Sequence, residues 1–421
     1  MDLLAELEHR AGPQLTAARH IAETLGGAGH RTWLVGGCVR DLLLGRDLHD
    51  LDLAGPAPPG VVEALFPRTV AVGRAFGVVR VLSHGQDLEV ATFRVESGTR
   101  DGRRPAALSL VATPEQDASR RDFTLNALYL DPLTGELVDP VGGRADLEQR
   151  VLRAVGDAED RFREDGLRLL RMARFLACLD LRPADGLLEA ARSCRDTLAR
   201  ISSERVLDEL GKIARGEQRE SAVELLARAG LLTEAFPHLR HSGLGPAERA
   251  ALVRGVRPDD LLLALLDLEP DVEGRMDLLA RTLDDLPLAR SKAAHLSSSW
   301  SRLEEIRSLP PGAPADLDAA QLARLLRGRE GGSALRLARA WAKGLGGDGG
   351  RLEELEQWAS GRDLEPAPLL AARDLLALGC SPGPGLGALL RALEDEQLRG
   401  TLTDQVGALA WARQQLELDP T

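Results

Sequence analysis

Two aspartates that alternate along one short extended segment place the tightest constraint on this chain. The stretch WLVGGCVRDLLLGRDLHDLDLA, Trp33 to Ala54, runs from an apolar strand through two glycines and an apolar helical turn to Asp50 and Asp52. In a β-strand, residues i and i+2 share a face. The spacing therefore predicts that Asp50 and Asp52 project together while His49, Leu51 and Leu53 point away. Like charges this close repel unless a cation lies between them, and hard divalent cations favour carboxylate oxygens. The segment is a candidate Mg²⁺ site with Asp50 and Asp52 as ligands. Upstream, Gly36 and Gly37 leave backbone N–H groups open to a close anionic ligand, and Arg40 follows one helical turn later. A triphosphate with its metal suits that chemistry. D-x-D alone occurs often by chance and reads more readily as solvated aspartates on an edge strand; the glycine turn and Val-Arg-Asp upstream are what argue for a site. His49 reads as a surface or packing residue.

Around this segment, roughly the first 140 residues mix two periodicities. TWLVGG, LHDLDLA, FGVVRVLS, LEVATFR and LNALYLD are short, rich in Val, Leu, Phe and Thr, and bounded by turn residues, which predicts half-buried strands. PGVVEALF and VRDLLLG read as helices. From about Val151 onward apolar residues recur at three- and four-residue spacing, as in DGLRLLRMARFLACL and ESAVELLARAGLL, and the pattern stays helical. SLPPGAPADLD, GLGGDGG and GCSPGPGLG mark loops within it. The expected organisation is an α/β head followed by a long helical remainder.

Composition narrows the function classes. A chain of 421 residues with 44% hydrophobic residues is too long for one comfortable domain. Its N-terminus, MDLLAELEHR, is acidic, and no apolar run approaches the roughly 20 residues that span a bilayer. A soluble cytoplasmic protein is expected, with no membrane association. The four cysteines, Cys38, Cys178, Cys194 and Cys380, lie far apart and suggest neither a disulfide framework nor a zinc knuckle. A formal charge of -12 argues against coating nucleic acid by bulk attraction, but not against a local basic groove. The eight histidines are scattered, so no His-Asp phosphohydrolase metal site is expected.

The motifs in order carry a family resemblance. GGCVRDLLLGRDLHDLDLA resembles the signature of the class II tRNA nucleotidyltransferase and poly(A) polymerase family. LEVATFR is similar to its next strand, RRDFTLNALYLD, LVDPVGGRADL and REDGLRLLRMARF to its second, third and fourth motifs, and ISSERVLDELGKIARG to its fifth region. LLAARDLLALGCSPGPGLGALLRALEDEQLRG resembles its tail segment, with Ala372 where the family pattern has glycine. The resemblance implies an α+β nucleotidyltransferase head of the polymerase β type with a small mixed sheet, followed by an all-α neck, body and tail. The expected boundaries are 1–140 for the head, 141–215 for the neck, 216–300 for the body and 301–421 for the tail.

Site residues follow by position. The metal pair falls on Asp50 and Asp52, with Glu89 as candidate third carboxylate. The nucleotide-binding positions fall on Gly36, Gly37, Arg40 and Arg121. From residue spacing, Asp165, Arg168 and Arg171 lie on one helix face, where a salt-bridge ladder is the plainer reading. The resemblance makes Asp165 and Arg168 readers of the incoming base and sets Arg171 and Arg174 near the nucleotide. The implied activity is addition of CCA to tRNA from CTP and ATP with Mg²⁺. The partners are the tRNA 3′ end and acceptor arm, with no obligate protein partner. Three relatives of that activity compete. The CC-adding reading expects a shortened loop after ATFR, whereas VESGTRDGRRP (Val95 to Pro105) has full length. The poly(A) polymerase reading expects a more basic VGRAFGVV segment (Val72 to Val79). The A-adding reading has no distinguishing residue. Outside the enzymes stands a silent RNA-binding protein on the same fold, which would have lost an aspartate or the base-reading Arg.

Overall fold

The computed structural model describes residues 2–73, 77–99, 105–235, 250, 253–254, 256–257, 260, 290–310, 317–345 and 349–418. The chain divides into two compact units, Met1–Pro237 and His238–Thr421.

The first unit opens with α1 (Leu3–Gly27), capped by the Asp2 carboxylate and kinked at Ala11, two residues before Pro13. Then come β1 (Trp33–Val35), α2 (Gly37–Leu43), β2 (Leu53–Gly55), α3 (Pro59–Leu65), β3 (Thr69–Gly73), β4 (Val78–Ser83) and β5 (Gln86–Thr92). A separate antiparallel hairpin, β6 (Arg94–Thr99) with β7 (Pro105–Leu110), precedes the short α4 (Pro114–Ala118). A 3₁₀ turn at Thr124–Asn126 leads to β8 (Tyr129–Leu130) and β9 (Leu137–Val138). Seven strands form one mixed sheet in the order β3-β4-β5-β2-β1-β8-β9, with β2 parallel to β5 and antiparallel to β1. Alternation decides which side is inside: Val79 and Val81 of β4, and Leu88 and Val90 of β5, are buried while their neighbours face outward. The core beside the sheet is aromatic, with Trp33 stacked on Phe93 at 5.6 Å and Phe93 edge-on to Tyr129 at 5.9 Å.

Two sequence expectations shift. LHDLDLA is not one strand: the ladder begins at Leu53, so Asp50 and Asp52 lie in the lead-in to β2. Side chains of α1 capture the carbonyls of this loop instead, Arg10 bonding Gly45 and Arg46 at 3.1 and 3.3 Å and Gln14 bonding His49 at 2.9 Å. Only the Asp52 carbonyl joins the sheet, accepting from the Val35 N–H at 3.0 Å. The region after Val151 is also not purely helical, since β10 (Val151–Leu152) and β11 (Arg182–Pro183) make a short parallel pair. They lie either side of α6 (Ala158–Glu164) and α7 (Leu167–Leu179), after α5 (Gly143–Glu148). The unit then continues through α8 (Leu187–Ser193), α9 (Ser203–Ala214), α10 (Arg219–Arg228) and α11 (Leu231–Ala235). Helix α7 buries Leu169, Leu170, Met172, Ala173 and Phe175 and packs on α9 and α10.

The described part of the second unit is helical, with its longest helices at Arg290–Ser308, Gly328–Leu345 and Pro384–Arg399. Helix Arg290–Ser308 buries Leu296, Trp300 and Leu303, and a core further along the chain gathers Leu370, Leu375, Leu393 and Ala408. No described helix is long and apolar enough to cross a membrane.

REDGLRLLRMARF is thus two helices broken at Asp165–Gly166, not one. Gly166 permits the break because its backbone lies against Thr197: a Cβ there would sit 2.7 Å from the Thr197 carbonyl oxygen. Gly166→Ala is expected to lower stability by about 1–3 kcal/mol, the usual cost of overpacking, which a denaturant titration of the purified variant would measure.

Candidate nucleotide-binding and metal site

A cleft of about 410 Å³ opens beside the sheet, bounded by the end of β1, the lead-in to β2, β5, the segment before β8 and helix α7. Gly36 ends β1 with φ 77° and ψ −126°, a backbone conformation that side chains rarely adopt. It turns the chain into α2, whose first turn carries Gly37 and Arg40. Both glycines line the cleft with Arg40, Asp52 and Glu89. From the other side come Arg121, Arg171 and Arg174.

Each arginine is held. Arg40 forks onto Asp41 with two bonds of 2.9 Å and donates to the Asn126 Oδ1 at 2.8 Å. Arg121 donates to Asp117 at 2.8 and 3.0 Å, to the Tyr129 hydroxyl at 3.0 Å and to the Asn126 carbonyl at 3.2 Å. Arg171 is paired to Asp122 through its Nε at 2.7 Å, and Arg174 to the buried Glu209 of α9 at 2.6 Å. Around Phe175 the Arg40, Arg171 and Arg174 guanidinium carbons lie 5.3, 5.4 and 4.3 Å from the ring centroid, where the negative ring face favours cations.

The acidic side is different. Although Asp52 keeps contact with solvent, its carboxyl is pushed up to about 6, first by desolvation and then by repulsion from Glu89 and Asp50, against the opposing pull of Arg121. Glu89, half-buried, has a cation nearby in Arg80 of β4 at 3.5 Å. Among the described residues no three His, Cys, Asp or Glu groups are gathered closely enough to hold an ion by themselves. That donor set fits a cation completed by the oxygens of a bound phosphate, as Mg²⁺-type sites commonly are. The repulsion on Asp52 is what a divalent cation would relieve.

Three of the expected site residues are not in the cleft wall. Asp50 is exposed on the lead-in to β2. Asp165 turns to α9, its carboxylate taking Arg205 at 2.8 and 3.3 Å and the Leu167 N–H at 3.1 Å. Arg168 is tied to Glu164 at 2.6 Å and to the carbonyls of Arg161 and Arg120 at 2.9 and 2.8 Å. Because the helix breaks at Gly166, Asp165 and Arg168 do not share one helix face as their spacing suggested. Conversely the cleft includes Arg94, Arg120, Asp122, Asn126 and Phe175, which the sequence reading did not single out. All but Arg94 and Phe175 lie inside RRDFTLNALYLD, so their closeness to Arg121 was the available signal.

The family model of the poly(A) polymerase head domain matches residues 32–153, and that of a probable RNA and SrmB-binding site of polymerase A matches 180–242. The CCA-adding enzyme of Lactiplantibacillus plantarum is 33% identical over 402 residues, 94% of this chain and 95% of that one. The chain belongs to the CCA-adding enzyme family. The family member from Bacillus pumilus is 42% identical over 219 residues, but this match spans only 52% of the present chain and 54% of its relative. The crystal structure of the Bacillus stearothermophilus CCA-adding enzyme in complex with CTP aligns with a TM-score of 0.71 at 27% identity, covering 97% of this chain and 99% of that one. The fold is accordingly an α/β nucleotidyltransferase head with a mixed sheet followed by helices, and the protein is a nucleotidyltransferase, a family that depends on divalent metal.

Asp122 holds part of the cleft wall together. Burial alone would raise its carboxyl, but Arg171, Asn126 and Arg168 overcome this and hold it well below the usual range. Its stabilisation is therefore fully present above the ordinary carboxylate pKa of about 4 and is lost as pH falls toward the depressed folded value. Asp122→Asn is expected to cost roughly 3–5 kcal/mol at pH 7, as breaking a buried pair does. Urea unfolding of both proteins should show that gap narrowing between pH 5 and pH 3.

Proposed function

We propose that the chain completes tRNA 3′ ends, adding two cytidines and one adenosine from CTP and ATP with release of pyrophosphate. The observation that carries this reading is similarity to a CCA-adding enzyme over 94% of the chain, together with a cleft in which a glycine turn, arginines and acidic residues face one another. In this reading residues 1–140 form the catalytic head and 141–215 the base-reading neck. The body, 216–300, leads to a tail, 301–421, that holds the tRNA. The enzyme then acts in the cytoplasm, where it meets tRNA and nucleoside triphosphates.

The reaction is attack of the RNA 3′-hydroxyl on the α-phosphorus, so no protein nucleophile is required. Arg40 and Arg121 neutralise the triphosphate while the Gly37 N–H approaches it closely; the Gly36 N–H is already given to the Leu128 carbonyl at 3.4 Å, and Gly36 serves instead to turn the chain into α2. Asp50 and Asp52 would hold Mg²⁺, with Glu89 as the third carboxylate, and the chemistry such an ion would supply there is acidification of the attacking hydroxyl and charge stabilisation at the leaving oxygens. The chain's own contribution is to fix the cations before substrate arrives, which avoids reorganisation during reaction. Asp165 and Arg168 read the base edge, with Arg205 orienting the first and Glu164 and two carbonyls orienting the second. Such a site rejects a wrong base by leaving its own donors and acceptors unmatched. Arg171 and Arg174 line the nucleotide's path beside Phe175.

Two sequence arguments about specificity fall partly outside the described residues: the tip of the Val95 to Pro105 loop at 100–104, and residues 74–76 of VGRAFGVV. Specificity is therefore read by assay. Purified protein with Mg²⁺ is offered tRNA ending before the first cytidine, after one and after two, each with CTP, ATP or both. Extension to CCA on all three followed by a stop is expected. Extension only of the last, by one adenosine, overturns the reading in favour of an A-adding enzyme, and a long adenosine tail on any RNA in favour of a poly(A) polymerase.

Asp52→Ala is expected to keep the fold and to lower transfer at least about a thousandfold, since losing a metal ligand removes several kcal/mol of transition-state stabilisation. Single-turnover extension by the folded variant measures this, and a residual rate above a tenth of wild type contradicts the assignment.

A further inference from the structure

Behind the cleft sits a carboxylate that no substrate can touch. Asp117, in the single turn of α4, is completely buried and absent from the cleft wall. Its Oδ1 accepts from Arg120 Nε at 2.8 Å and from the Arg94 backbone N–H at 3.3 Å. Its Oδ2 accepts from Arg121 at 2.8 and 3.0 Å and from the Tyr129 hydroxyl at 2.9 Å. Tyr129 closes the circuit, since its oxygen also accepts from Arg121 Nε and its ring lies 5.2 Å from the Arg121 guanidinium carbon. Every cation in this cluster, Arg94, Arg120 and Arg121, lines the cleft.

We propose that Asp117 is the positioning residue for the polyphosphate end of the nucleotide, holding Arg120 and Arg121 side by side in the cleft wall so that their paired positive charge meets the phosphate oxygens. The inference rests on the reading of the cleft as a nucleoside triphosphate site. One buried carboxylate between two guanidinium groups leaves the pair with a net positive charge facing the cleft, while removing the repulsion that would otherwise splay them. Charge-assisted bonds of this kind are short and directional, and both carboxylate oxygens are used, so the planes of both guanidinium groups are fixed together. Arg120 also offers its carbonyl to Arg168 at 2.8 Å, so the same two residues join the polyphosphate end to helix α7.

A core ion pair with no bearing on substrate predicts loss of stability alone. A positioning role predicts weaker polyphosphate binding that ignores the base. Asp117→Asn keeps the shape but faces an amide N–H toward donors and removes the charge between the arginines. Tyr129→Phe keeps charge and ring and removes one hydroxyl. For wild type and both variants of the full-length enzyme, the measurements are KM for CTP and for ATP, binding of inorganic tripolyphosphate by calorimetry, and melting temperature. Asp117→Asn is expected to raise both KM values and the tripolyphosphate dissociation constant together by about tenfold, the equivalent of about 1.4 kcal/mol, with the CTP to ATP preference unchanged. Tyr129→Phe is expected to move the same constants in the same direction by about threefold. A fall in melting temperature with wild-type affinities in both variants overturns the proposal, as does weakening confined to one nucleotide. If Asp117→Asn does not fold, unchanged tripolyphosphate binding by Tyr129→Phe overturns it. Wild-type protein that binds tripolyphosphate yet transfers nothing sinks the tRNA reading and leaves this one standing; wild-type protein that does not bind it sinks this one.

Discussion

Six arginines line one cleft, and the repulsion among them is the constraint to which the surrounding structure answers. A site that must accept a polyanion needs this charge, yet an unliganded protein must fold with it in place. The solution is a set of acidic residues around and behind the cleft. Asp117 serves Arg120 and Arg121, Asp122 serves Arg171, Glu209 serves Arg174, and Asp41 serves Arg40. Three of these four carboxylates are buried, where an unpaired charge is costly and a paired one is geometrically strict. The arginines are therefore oriented before any ligand arrives.

The opposite wall is left unbalanced. Asp52 is desolvated and has Glu89 and Asp50 for neighbours, so its carboxyl is raised against the pull of Arg121, whereas Asp117 and Asp122 beside the arginines are lowered. Excess positive charge on one side and strained negative charge on the other describe a site completed by two ligands at once. A phosphate chain and a divalent cation satisfy both walls, and each makes the other's binding cheaper.

Helix α7 ties this electrostatic arrangement to the helices that follow it in the first unit. Its apolar face is buried through Leu169, Leu170, Met172 and Ala173, and it packs on α9 and α10. Its polar face carries Arg168, which reaches the Arg120 carbonyl, and Arg171, which reaches Asp122. Changes in how α7 packs would move cleft cations and the proposed base reader together.

Much of the head was legible in the residues themselves. Alternation marked β4 and β5, the glycine pair marked the turn into α2, and the ordered motifs pointed to the family that comparison bears out. Folding brings Arg40, Arg121, Arg171 and Arg174 to the wall of one cleft. The extent of the strand at Asp50 and Asp52 was not legible, because it depends on Arg10 and Gln14 of a distant helix claiming the loop carbonyls. Nor was the break at Gly166, which exists because Thr197 approaches from thirty residues away, although helical spacing ran straight through it. Asp117 was invisible as well: in sequence it is one acid in a short polar turn, and only folding encloses it among three arginines and the single tyrosine. Sequence determined which chemistry the chain can perform, since that depends on residue type and local spacing. Tertiary structure alone decided which charges face substrate and which are spent holding others in place, because burial and ion pairing are relations between segments far apart in the chain.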